Sequence, residues 1–138
     1  MPEGIPYAST NVVAGAGLEL NYVGDHAYAY SGTVQAATGA VTLLEFTSGS
    51  TTFVGRINCA GAIPNNGTGV ASGCVSAFTL TMNGVEITRM KTETLQEDSP
   101  TFTEYPLMIP PYTSVKLIVL SNGTAGLVSA MIVGKVHQ

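Results

Sequence analysis

The stretch that decides the fold runs from Cys74 to Thr92 and reads CVSAFTLTM-NG-VEITRMKT. Phe78, Leu80 and Met82 recur at every second position, the period of a strand that turns one face to a core. Asn83-Gly84 follows, two residues that tolerate the positive φ of a tight hairpin turn. The spacing predicts a β-hairpin, Cys74–Met82 with Val85–Thr92.

The same grammar extends in both directions. Upstream lie a strand over Thr51–Ile63, a turn at Ser48-Gly49-Ser50 and a strand over Val41–Thr47. In that strand Leu44 and Phe46 are expected on one face, Leu43 and Glu45 on the other. Before the turn at Thr38–Gly39 the run His26–Gln35 reads as one weakly alternating strand, Ala27, Ala29 and Ser31 opposing Tyr28 and Tyr30. Downstream, a loop with Glu97-Asp98 and Pro100 leads to Tyr105–Ile109, which Pro110-Pro111 stops. Ser114–Leu120, a turn at Asn122-Gly123 and Leu127–Val136 complete the chain.

About eight strands with turns every eight to twelve residues predict an all-β, antiparallel β-sandwich. Mixed strand lengths and the long Gly/Asn-rich loop Pro64–Gly73 favour a jelly roll over an up-and-down barrel. Sixteen Gly and seven Pro in 138 residues suit short strands. The nearest approach to a helix, Met90–Glu97, is Thr-rich and serves equally as a strand end. Length gives one domain, large enough to bury about two-thirds of its unfolded surface. Residues 1–24 read as an extended N-terminal arm and residues 25–138 as the sandwich.

Charge is scarce. Charged residues make up 10% and hydrophobic ones 45%, against roughly a quarter charged in ordinary soluble domains. Val41–Phe46, Ser114–Leu120 and Leu127–Val136 carry apolar residues on both faces, whereas a sheet wetted on one side alternates cleanly. The expectation is a building block whose outer surface meets another protein, not a catalyst. The arm is apolar and nearly neutral, so Ile5, Tyr7, Val12 and Val13 are expected to contact a neighbouring subunit or an underlying shell. Leu43, Ile118, Met131 and Val133 are expected on faces buried between subunits.

Net charge is −4 with five scattered Lys and Arg, a poor match to a phosphate backbone. No apolar span of eighteen residues or basic amphipathic helix is present, so no membrane partner is expected. Met1–Thr10 has no basic stretch leading into an apolar core; synthesis in a cytoplasm without a Sec-type signal is the expectation.

Catalytic motifs are weak. Asp25-His26 adjoin, but successive residues of a strand point to opposite faces. Thr47–Ser50 lacks a GxSxG elbow. The glutamates Glu45, Glu86, Glu93 and Glu104 read as solvated surface rather than a glycosidase pair, and the Gly-rich loop has no Lys for a phosphate. Glu97 and Asp98 lack the run of acids a calcium loop needs. No cofactor or metal is expected. Cys59 and Cys74 flank Ala60–Gly73; they read either as two buried thiols or as a disulfide closing the loop. Their spacing does not make a zinc site. Tyr28 with Tyr30, and Tyr105 with Tyr112, offer aromatic surface for a glycan, although no Trp is present and packing at a sandwich rim is the plainer role.

Three stretches carry a family likeness: GDHAYAYSGTV (24–34), TLLEFT (42–47) and PLMIPPYTSV (106–115). They resemble pieces of small capsid-decorating or cement proteins of tailed phages and other aquatic viruses. That resemblance implies a jelly roll, a homotrimer, and seating on joints of the major capsid protein shell through an N-terminal arm and lateral surfaces. It implies no active site, and the Cys-flanked loop departs from the pattern. Two other roles stay open: a glycan- or receptor-binding head of a virion fibre, and a self-assembling fibre or tube subunit that donates its arm to the next copy.

Overall fold

The computed structural model describes residues 19–35, 39–63, 75–93, 101–121 and 127–138. Among them the chain is all strand and turn, with ten strands: β1 Asn21–Val23, β2 His26–Tyr30, β3 Val34–Gln35, β4 Val41–Thr47, β5 Thr52–Ile63, β6 Val75–Met82, β7 Val85–Glu93, β8 Thr101–Ile109, β9 Ser114–Ser121 and β10 Leu127–His137. They form two antiparallel sheets. The six-stranded sheet runs β1-β2-β10-β5-β8, with β3 also on β10; the four-stranded sheet runs β4-β9-β6-β7.

The pairings nest. β6 pairs β7 at the centre, β5 pairs β8 outside it, then β4 pairs β9 and β2 pairs β10. The chain thus doubles back once, about the Asn83-Gly84 turn. Both turn residues have positive φ, 53° and 81°, which matches the right-handed twist of the strands they join. Further pairings, β10 with β5 and β9 with β6, stitch the ribbon into the two sheets.

Inward side chains of both sheets share one core. Phe53, Ile57, Cys59, Ile109 and Ile132 come from the larger sheet, Leu44, Phe78, Leu80, Val115 and Leu117 from the smaller. Each is wholly buried, and full burial of such an apolar side chain stabilises by roughly 1.5–3 kcal/mol before ordering costs. Towards one end the core turns polar. Ser76 and Ser121 share a buried 3.0 Å hydrogen bond, and a Cβ on Gly61 would stand 2.5 Å from Thr92 Oγ1.

Three expectations need correction. His26–Gln35 is two strands, because Gly32 takes φ 72° and breaks the ladder. Ser31 bridges the gap: its N–H donates to Ala130 O and its hydroxyl accepts from Ala130 N at 2.8 Å. Asn21–Val23, read as the end of the arm, instead pairs with β2 as an added strand. Leu43 and Leu44 both point inward, because the register between β4 and β9 shifts between Thr42 and Leu44; such a bulge turns two successive residues to one face.

Candidate assembly face and groove

The outward positions of the six-stranded sheet form in-register rows. Tyr28 on β2, Val133 on β10, Arg56 on β5 and Pro106 on β8 make one row. On one side of it lie His26, Lys135, Val54 and Met108; on the other, Tyr30, Met131, Asn58 and Glu104. Beyond these, Ser129 faces Ala60. Strand alternation aims all of them away from the core, since Ala27, Ala29, Ile57 and Ile132 between them are buried.

Large apolar side chains on this face lie open. Met108 is 61% exposed, Val54 43%, Val133 37% and Met131 36%. Tyr28 and Tyr30 lean together with ring centroids 4.8 Å apart, tilted 38°. Arg56 and Glu104 form an ion pair on this face at 2.9 Å. Beside it lies a groove of about 320 Å³ lined by Asn58, Ala60, Glu104, Ser129 and Met131. Val54, Met108, Val133 and Tyr28 thus lie exposed among His26, Lys135 and Arg56 of the same two rows, and the groove lies beyond Met131.

The outer face of the smaller sheet is chemically different. Thr42, Thr79 and Thr81 line it with Glu45, Lys116, Arg89 and Lys91, although Leu120 is also exposed there at 48%. Ile118 sits there, half-buried between Thr42 and Thr79. Of the four sandwich residues expected at subunit contacts, Met131 and Val133 share the outer face of the larger sheet and Ile118 lies on the opposite one. Leu43, at 1% exposure, is core and offers a neighbour no surface. Ile5, Tyr7, Val12 and Val13 lie outside the described residues, as do Cys74, Glu97 and Asp98. Cys59 is a free thiol facing the core, and burial pushes its pKa up to about 12.

Two local arrangements escaped the sequence pattern. Asp25 lies in the turn before β2, not in the strand, and so its carboxylate reaches His26 Nδ1 at 3.0 Å. Both side chains are largely exposed. At the same end, the β4–β5 and β8–β9 connections are tied together. Ser48 Oγ donates to Pro110 O at 2.7 Å and accepts from Thr113 N at 2.8 Å, while Tyr112 N donates to Gly49 O. These bonds hold Tyr112 at φ 54° with its ring 71% exposed. A Gly-Ser turn facing a Pro-Pro-Tyr turn is the only sequence signal for that clamp.

No group of three or more His, Cys, Asp or Glu is placed to hold a metal ion among the described residues. Comparison with family models, with curated proteins and with solved structures finds no match to this chain.

Proposed function

We propose that the chain is a non-enzymatic virion structural protein, a capsid decoration or cement subunit that works as a homo-oligomer, with a trimer favoured. The observation that carries this is the outer face of the six-stranded sheet, where Val54 and Met108 stand paired beside Val133 and Tyr28. Exposed large apolar side chains grouped on one sheet face, here among Arg56, Lys135 and His26, mark a contact with another protein. Its first occupant is a second copy of the chain, and the oligomer then seats on the major capsid protein.

The strand order supports a finer assignment. A doubled-back ribbon giving sheets β2-β10-β5-β8 and β4-β9-β6-β7 is the order of an eight-stranded jelly roll, with β1 and β3 as additions. Viral capsid domains use that fold, as do lectins. The likeness of residues 24–34, 42–47 and 106–115 to decoration proteins points the same way.

Closed assembly is favoured over an open fibre because three of the four sheet edges are poor templates. Edge strand β8 carries Pro106 and Glu104, edge strand β7 carries Glu86, Arg89, Lys91 and Glu93, and edge strand β4 is bulged at Leu43. Proline, charge and bulges all discourage strand addition. A cement protein opposes shell expansion by burying apolar area across joints, and many symmetric copies add avidity. The working place is then the capsid surface, after synthesis in the host cytoplasm. Electron microscopy of the native material tests this: density for the subunit on a shell supports it, and particles lacking the protein contradict it.

A further inference from the structure

The groove beside Met131 on the same face carries a second inference, one that does not rest on the assembly reading. The groove exists because Ala60 and Ser129, opposite each other on β5 and β10, are both small and both point outward. Larger neighbours wall it: Met131 on β10, Asn58 on β5 and Glu104 on β8. At about 320 Å³ the groove is at the small end of the roughly 300–1,000 Å³ range of ligand sites.

The geometry points to a neutral pyranose sugar as the ligand of this groove. Asn58 offers an amide that both donates and accepts, Ser129 a hydroxyl that does the same, and Glu104 two acceptor oxygens. Arg56, bonded to Glu104 at 2.9 Å, fixes the carboxylate and balances its charge. Vicinal sugar hydroxyls match that set of donors and acceptors. The C–H face of the ring matches the thioether of Met131 and the methyl of Ala60, which make most of the lining apolar. With Arg56 taken by Glu104, no cation among the lining residues offers a phosphate or acidic sugar a partner. A purely apolar ligand would cover Asn58 and Glu104 without bonding them, which costs about 1–3 kcal/mol per group.

The test is a titration of the full chain, followed by amide NMR, with methyl glycosides of glucose, galactose, mannose and N-acetylglucosamine, alongside a printed array of neutral and acidic oligosaccharides. At least one neutral sugar is expected to shift the amides of Asn58, Ala60, Glu104 and Ser129. Asn58→Ala should weaken binding at least tenfold, a loss of about 1.4 kcal/mol. Ser129→Leu, an outward substitution that fills the groove and leaves the core alone, should abolish binding with no change in thermal melting. Binding to neutral oligosaccharides but not to single sugars supports the site and assigns it to a glycan chain. Silence of every neutral sugar at tens of millimolar, binding restricted to acidic glycans, or binding that survives Ser129→Leu overturns it. Light scattering on the same samples reads assembly separately, so a sugar-binding monomer keeps this inference and removes the other.

Discussion

Gly55 and Gly134 stand directly opposite each other on β5 and β10, and one aromatic ring closes over both. A Cβ on Gly55 would lie 2.8 Å from Phe53 Cζ, and a Cβ on Gly134 would lie 2.7 Å from the same atom. Each would also strike the backbone of the facing strand. The pair is thus a slot in the inner face of the sheet, filled by a wholly buried Phe53. Neither glycine has a positive φ; space, not backbone freedom, requires them.

Filling the slot should destabilise. Gly134→Ala is expected to cost about 1–3 kcal/mol through overpacking, and Gly134→Val more. Gly39→Ala, where an added Cβ meets nothing within 4 Å and φ is not positive, should leave stability unchanged or slightly raised. Urea unfolding midpoints with unchanged slopes check both.

Relaxing Tyr112 should stabilise. Its φ of 54° lies in the region where a non-glycine residue costs roughly 1–2 kcal/mol. Tyr112→Gly is therefore expected to raise unfolding free energy by about 0.5–1 kcal/mol, once the greater freedom of Gly in the unfolded chain is set against it. Ser48→Ala, which strips a partner from Thr113 N and from Pro110 O, should cost about 1–3 kcal/mol. Equal midpoints for Tyr112→Gly and wild type would contradict the strain.

Cys59 gives the fold a pH signature at the alkaline end. The folded thiol has a pKa of about 12 against an ordinary 9.0, because burial opposes the thiolate. Above pH 9 the unfolded chain loses this proton while the folded chain keeps it. Stability therefore falls with rising pH, by roughly 1.4 kcal/mol per unit until the folded pKa is reached. Below pH 9 the group contributes no slope. Unfolding measured at pH 8 and pH 10.5 should show a larger loss for wild type than for Cys59→Ala, which lacks the proton. A thiol reagent at pH 8 should react with Cys59 only at the rate of unfolding.

Much of the strand framework was legible, for reasons visible in particular residues. Asn83-Gly84 announced its hairpin, and the alternation of Val115, Leu117 and Val119 placed β9 with its buried face correct. What failed were features that depend on a partner strand. Leu43 looks like an outward residue until the register shift against β9 turns it in. Ser31-Gly32 looks like continuous strand until the Ser31 hydroxyl takes the bond Ala130 would otherwise lack. Asn21–Val23 has little β character alone and becomes a strand by lying on β2. The outward placement of Met131 and Val133 was legible from two-faced hydrophobicity. The rows that set Asn58 and Glu104 beside them, and Val54 beside Met108, come from the pairing of β5 with β8 and β10.

Light scattering on the purified chain tests the assembly account most directly. Wild type should run as a multiple of the 14.2 kDa subunit, three copies being favoured, and a double Val54→Lys, Met108→Lys substitution should yield a folded monomer. Greasy residues on the outer skin of the larger sheet are then what makes a lone copy incomplete. A wild-type protein that stays at a single subunit's mass at every concentration, and is indifferent to both lysines, would contradict it.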